Sequence, residues 1–232
     1  MQTIYGNGET MPGNIGSLCR SQVRIAADGM CLDGELAVPD DPSGLVVFAH
    51  GSGSTRHSPR NAFVAEMMNN GHLATLLFDL LTPKEAFSDA ADGHLRFDIP
   101  FLASRLEHAI DWARVQPATL GLRLGVFGAS TGAGAALVAA GERPDGICAV
   151  VSRGGRPDLA GRWLSRVTAP TLLIVGSRDT DVVALNRAAL AQLHGTAELV
   201  LVPGATHLFE EPGTLEQAAS LARGWFLRWL KP

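Results

Sequence analysis

The 232-residue sequence predicts an α/β domain with a mostly parallel, eight-stranded sheet and helices on both faces. Three observations carry this prediction. Short, wholly apolar runs such as Leu45-Val46-Val47-Phe48-Ala49 recur along the chain, the pattern of strands buried on both faces. Amphipathic or small-residue stretches of helical length separate them. After Asp40-Asp41-Pro42 the two kinds of segment alternate, which calls for crossover connections and hence parallel strands.

Taken in order, residues 1–20 are rich in Gly, Asn, Thr and Pro and lack periodicity, so they read as a loosely ordered head; residues 21–232 read as one domain. Runs over Gln22–Ala26 and Cys31–Val38 flank an Ala27-Asp28-Gly29 turn, the signal of a hairpin. Leu45–Ala49 is the third strand. A helix is expected from Ser58, with Pro59 at its first position, to Asn70-Gly71. Leu73–Phe78 is the fourth strand, and the polar stretch Leu80–His94 reads as a loop. Asp98 opens a helix through Gln116 with Ile99, Leu102, Leu106, Ile110 and Ala113 on one face. Leu122–Phe127 is a strand, Gly134–Ala140 a small-residue helix, and Ile147–Val151 and Thr171–Val175 further strands. Thr180 or Asp181 opens a helix to about Leu193, and Ala197–Val202 is the last strand. Thr214 and Gln217 fit a capping box for a final helix carrying Leu215, Leu221, Trp225 and Trp229.

Composition narrows the function classes. With 46% apolar and 18% charged residues, a net charge of −4 and a pI near 6.0, the chain has no basic excess for a nucleic-acid or anionic-membrane partner. Cys19, Cys31 and Cys148 are odd in number and no pair has metal-ligand spacing; free thiols in a reducing cytoplasm are expected, with no metal site. No apolar stretch follows Met1, and no run approaches the ~20 residues a membrane span needs, so a cytoplasmic location is expected.

Chemistry should gather at the carboxyl ends of the strands, where such sheets bind ligands. Gly128-Ala129-Ser130-Thr131-Gly132 follows a strand and precedes a helix, the setting of a G-x-S-x-G nucleophile elbow. The alternative is a tight turn with an N-capping serine. A serine hydroxyl needs a base. Of seven histidines, His207 alone lies in the loop directly after the last strand; the alternative there is an exposed loop histidine. An acid must hold the base's tautomer. Asp179, in Gly176-Ser177-Arg178-Asp179 after the next-to-last strand, is the candidate, and Asp181, better suited to cap the following helix, is second. The tetrahedral intermediate needs amide donors. These are the N–H of Thr131 and, from the glycine-rich loop His50-Gly51-Ser52-Gly53-Ser54, the N–H of Ser52. The order Ser130, Asp179, His207 is the order of G-x-S-x-G hydrolases. Four arginines, Arg56, Arg60, Arg153 and Arg156, should lie at the same edge. They could form an electropositive rim for an anionic substrate, or pair with Asp79, Asp158, Glu210 or Glu211.

Together, VVFAHGSGS, GVFGASTGAG, APTLLIVGSRDTDV and VPGATHLFEEPGTLEQ resemble the oxyanion loop, nucleophile elbow, acid loop and histidine loop of the α/β-hydrolases, and among them the dienelactone-hydrolase-related proteins, over roughly residues 22 to 231. The chain is also similar to a bacterial subgroup sometimes fused to a phosphoribosyltransferase domain, a segment not recognised in these 232 residues. The resemblance implies an α/β-hydrolase fold and a small-molecule ester, lactone or thioester substrate, with no cofactor. Dienelactone hydrolases proper carry cysteine where this chain has Ser130, so fold and triad logic carry over and the substrate does not. Leu80–His94 leaves room for a small flap and no large cap domain. An acyltransferase on the same triad and a catalytically silent scaffold acting as a binding module stay open as alternatives, and oligomeric state is not legible.

Overall fold

A computed structural model describes residues 17–231. Most of the head expected over residues 1–20 lies outside the described residues; Leu18, Cys19 and Arg20 already belong to the first strand. Strands β1 (Leu18–Ala27) and β2 (Met30–Pro39) form the expected hairpin. Its two turn residues, Asp28 and Gly29, have φ of 49° and 77°, the double left-handed pair that matches strand twist in a two-residue turn.

The sheet continues with β3 (Gly44–Ala49), β4 (Leu73–Phe78), β5 (Leu124–Ala129), β6 (Ala149–Arg153), β7 (Thr171–Gly176) and β8 (Ala197–Val202), in spatial order β1-β2-β4-β3-β5-β6-β7-β8. β1, β2 and β4 pair antiparallel and every other neighbouring pair is parallel. Successive residues of β3 face opposite ways. Leu45, Val47 and Ala49 enter a core with helices α3 (Ile99–Arg114) and α4 (Thr131–Glu142), while Val46 and Phe48 meet α1 (Pro59–Asn69) and α6 (Thr214–Trp229). Helix α5 (Thr180–Leu190) packs near β7 and β8. This is the α/β-hydrolase fold expected, with helices on both faces. The connection after β3 leads to β4 on one side and the chain later returns to β5 on the other. A topological switch point therefore opens between the carboxyl ends of β3 and β5, where such sheets bind ligands.

Four local expectations need correcting. Leu80–His94 contains a helix, α2 (Pro83–Asp89), entered through a capping box. The Thr82 hydroxyl accepts from Glu85 N–H, and the Glu85 carboxylate accepts from Thr82 N–H. The capping box expected at Thr214 and Gln217 does not form. Gly213, with φ 80°, occupies the cap, and the Thr214 hydroxyl donates to the Glu211 carbonyl instead. A kinked 3-10 stretch over Pro157–Arg166, unanticipated from the sequence, covers α4. β6 lies two residues later than expected, which draws Arg153 into the sheet.

Arg105 ties these parts together. Its side chain is 2% exposed, donates to the Ala27 carbonyl of the hairpin, and pairs at 2.9 Å with Glu85, the same carboxylate that caps α2. Removing one partner of a largely desolvated pair leaves the other charge uncompensated. Arg105→Ala is therefore expected to destabilise the fold by roughly 2 kcal/mol or more in urea titration, with Thr82→Ala costing about 1 kcal/mol through loss of the cap.

Candidate active site

The site is built at the β5–α4 junction. Ser130 follows the last residue of β5 with φ 51° and ψ −122°, a left-handed conformation that a serine adopts only where its surroundings impose it. The imposition is steric and local. A Cβ at Gly128 would fall 2.4 Å from the Ala133 Cα, and one at Gly132 would fall 2.3 Å from the Ala49 carbonyl oxygen. Glycine at both positions lets α4 start tight against β3 and β5, and the serine takes the sharp bend between. Its side chain makes no capping bond to α4, which overturns the alternative of an N-capping serine.

The base and acid expected from the sequence come together here. Ser130 Oγ lies 3.4 Å from His207 Nε2, a long contact of the kind apo catalytic sites show. His207 Nδ1 lies 2.7 Å from Asp179 Oδ2, so the carboxylate accepts that N–H and leaves Nε2 facing the serine. Asp179 is itself the N-cap position of α5, but its carboxylate makes no bond to the helix and is given wholly to His207. Asp181 sits inside the first turn of α5, not at the cap expected for it.

The two residues expected to supply oxyanion donors touch through a side chain, in an arrangement the sequence did not suggest. Thr131 is the first residue of α4, where backbone N–H groups have no intrahelical acceptor. Ser52 N–H, 79 residues away, donates at 2.8 Å to the Thr131 hydroxyl. His50 holds this loop. Its Nδ1–H donates to the Gly51 carbonyl, and its Nε2 accepts from Leu80 N–H, fixing one neutral tautomer between the ends of β3 and β4. Burial holds its pKa below the ordinary 6.5, outweighing the raising effects of the Gly51 bond and Asp79.

The arginine cluster divides. Arg56 donates from its backbone and its guanidinium to Asp79. Arg156 makes a bidentate pair with Asp158 at 2.9 and 2.8 Å. Arg60 reaches Glu210 only at 3.5 Å, with both side chains substantially in solvent. These three follow the pairing alternative. Arg153 does not: it is buried, and no carboxylate among the described residues pairs with it. It was expected in a loop after β6. As the last residue of β6, in register with Ala129, it instead points to the same sheet face as Ala149 and Val151. That period of two was the available signal for its burial.

Two cavities flank the Gly51–Ser54 loop. The larger, about 390 Å³, has an apolar wall of Leu80, Leu81, Pro83, Ala86 and Leu102 and is bordered by none of Ser130, Asp179 and His207. The smaller, about 230 Å³, is bounded by Ser130, His207, Arg60, Asn61, Arg153 and Leu208. Ser130 and His207 border the smaller one, and Gly51, Ser52 and Ser54 border both. Cys19, Cys31 and Cys148 are unpaired and distant in sequence from the elbow. Among the described residues no helix is long and apolar enough to cross a membrane.

The buried neutral His50 makes stability pH-dependent. In the unfolded chain it takes a proton near pH 6.5; in the fold it resists protonation. Its contribution is therefore complete above pH 6.5 and is lost as pH falls through that value toward the depressed folded pKa. The slope is at most about 1.4 kcal/mol per pH unit. Urea titrations of wild type and His50→Gln between pH 5 and 8 are expected to differ by this component, with wild type losing more stability on the acid side.

Known proteins share the sequence and fold of this chain. The sequence profile of the Dienelactone hydrolase family matches residues 32–232. A Mycobacterium tuberculosis (strain ATCC 25618 / H37Rv) protein with the provisional name phosphoribosyl transferase Rv0571c is 57% identical over 206 residues. The match covers 89% of this chain and 46% of that protein, so the chain spans about half the length of this relative. The crystal structure of dienelactone hydrolase from Anabaena variabilis ATCC 29413 superposes with a TM-score of 0.90 at 54% identity, covering 92% of this chain and 99% of that one. Est1E from Butyrivibrio proteoclasticus, solved with ferulic acid bound, shares the fold with a TM-score of 0.76 at 19% identity, over 89% of this chain and 98% of that one. On the matched profile and the 54% identical structure, this chain belongs to the dienelactone hydrolase family.

Proposed function

We propose that the protein is a serine hydrolase that cleaves a small carboxylic ester, lactone or thioester through an acyl-enzyme on Ser130. The observation that carries this is the single chain of contacts Asp179 Oδ2–His207 Nδ1 at 2.7 Å and His207 Nε2–Ser130 Oγ at 3.4 Å, ending on a serine with φ 51°. Membership of a family that includes hydrolases supports it.

His207 takes the proton as Ser130 Oγ attacks the carbonyl carbon, and Asp179 stabilises the resulting imidazolium. The oxyanion forms against the Thr131 amide and takes over the Ser52 amide from the Thr131 hydroxyl. His207 then protonates the departing alcohol or thiol. A water molecule, deprotonated by the same nitrogen, attacks the acyl-enzyme and releases the acid. The apolar cavity across the Gly51–Ser54 loop offers room for an aliphatic or aromatic group of the substrate. Every step uses side chains and amides of this chain. Nothing in the geometry favours an alcohol over water as acceptor, and an intact triad argues against a silent scaffold.

A fluorophosphonate probe is expected to label wild type at Ser130, and labelling should vanish in Ser130→Ala and His207→Ala. A folded wild-type protein that resists the probe would overturn the assignment. Asp179→Asn is expected to keep the fold while lowering kcat for a reactive ester by a factor on the order of 10³ to 10⁴, because it stabilises the wrong histidine tautomer. Asp181→Asn should leave kcat within about twofold of wild type, since it lies outside the contact chain; an equal loss in both variants would reassign the acid.

A further inference from the structure

The larger cavity adjoins the site on the side away from His207. Leu80 and Leu81 follow β4, Pro83 and Ala86 lie on α2, and Leu102 lies on α3. Leu80 and Leu102 are buried, and Pro83 and Ala86 are exposed at its mouth. The charged side chains on the wall are already paired, Asp79 with Arg56 and Asp89 with Arg96. His50 has both ring nitrogens engaged, one with Gly51 and one with Leu80. The cavity therefore offers about 390 Å³ of mostly apolar space, the size of a small-ligand pocket. Among the described residues that line it, none brings a free charge to hold an ionised group.

The order of strands at the carboxyl edge limits what this cavity can receive. From β4 to β6 the edge carries, in turn, the apolar cavity, the Gly51–Ser54 loop after β3, Ser130 after β5, and Gly154 after β6. His207 stands at the β6 end of this row, since a Cβ on Gly154 would fall 3.0 Å from its carbonyl oxygen. A trigonal carbonyl carbon at Ser130 Oγ has three substituents to place. Its oxygen goes to the proposed amides of Ser52 and Thr131. Its leaving atom must meet His207 Nε2, the nitrogen that protonates it. The acyl chain is left pointing away from His207, toward β3 and β4, where the apolar cavity begins. The crest of the intervening loop does not block it: Gly53 bears no side chain, and the space beside its Cα is open. Gly51, Ser52 and Ser54 border both cavities, so the path between them is only as wide as this loop.

We propose that this cavity is the acyl pocket, and that the preferred substrate is an ester or thioester of an uncharged aliphatic acid of medium chain length, whose alcohol or thiol leaves over His207. This rests on the serine-hydrolase reading. Helix α2 then sets the length of acyl chain accepted. Pro83 and Ala86, three residues apart on one face, border the cavity, and Ser88 does not. The helix holds that wall in place through its capping box and through Arg105, which pairs with the capping carboxylate of Glu85.

The test varies the two halves of the ester separately. One series keeps p-nitrophenol as the leaving group and lengthens the acyl chain from acetate through butyrate and hexanoate to octanoate. The other keeps acetate and lengthens the alcohol from ethyl to hexyl. Each methylene taken fully out of water is worth about fourfold. Because the cavity is open at its mouth, kcat/KM is expected to rise about tenfold or more from acetate to hexanoate, and less than about threefold along the alcohol series. Ala86→Phe places a ring at the mouth and is expected to remove most of the acyl gain. Ser88→Phe adds the same ring at an exposed position of α2 off the cavity and should keep it. A gain on the alcohol series instead, no gain in either, a gain that survives Ala86→Phe, or one lost equally in Ser88→Phe overturns the acyl assignment and leaves the hydrolase reading intact. If Ala86→Phe does not fold, Leu81→Phe decides by the same hexanoate-to-acetate ratio, its collapse supporting the pocket and its persistence overturning it. If no ester of either series is turned over, the hydrolase reading fails and the acyl assignment fails with it.

Discussion

The site depends on one close approach of backbone to backbone, where α4 begins against the ends of β3 and β5. Gly132 presses on the carbonyls of Ala49 and His50, and Gly128 presses on Ala133. No side chain fits at either position. That approach forces Ser130 into the left-handed region, turns its hydroxyl out of the helix cap, and brings the Thr131 hydroxyl within 2.8 Å of the Ser52 amide. The conformation of the proposed nucleophile and the placement of both proposed oxyanion donors are thus consequences of a single packing constraint. The backbone strain at Ser130 persists because buried elements on both sides leave no room to relax it.

The other parts of the site hang from the same edge through longer levers. His50 pins the Gly51–Ser54 loop by bonding to Gly51 on one side and Leu80 on the other, so the position of Ser52 depends on β4 as well as β3. Asp179 stands where a helix cap would, yet its carboxylate goes to His207, and α5 starts without a side-chain cap. A cap bond worth about 1 kcal/mol is given up for the orientation of the His207 ring. Arg153 follows the same pattern: a buried charge with no carboxylate partner among the described residues is tolerated beside Ser130 while Arg56 and Arg156 are paired. Stability is conceded at the positions where the chemistry would act.

What sequence reasoning missed has physical causes that can be named. Thr82 and Glu85 fit the same capping-box pattern as Thr214 and Gln217, but Leu80–His94 lacks a long apolar stripe and α2 is only seven residues. Its stability comes from Arg105 and the capping box, which are tertiary and local contacts that periodicity does not register. At α6, Gly213 adopts φ 80° and ends the preceding turn itself, so Thr214 became the first helical residue and its hydroxyl turned back to Glu211. The 3-10 stretch over Pro157–Arg166 has no repeat long enough to read. Apolarity alone ends β6 at Val151, but the strand runs on to Arg153, an arginine at a strand's carboxyl end that packs against Phe209.

By itself the sequence determined the strand and helix alternation, the hairpin, the carboxyl-edge location of Ser130, Asp179 and His207, and the glycines around the serine. These follow from apolar runs, turn residues and chain order, which are one-dimensional properties. Only the tertiary structure decided that Asp179 and not Asp181 meets His207, and that the Ser52 amide meets the Thr131 hydroxyl. It also decided which arginines are paired and which one is buried beside Ser130 with no carboxylate partner among the described residues. Pairing of charges and sharing of donors depend on distances between residues far apart in the chain. No local pattern encodes them, because only the packing of β3, β5, β6 and the histidine loop sets those distances.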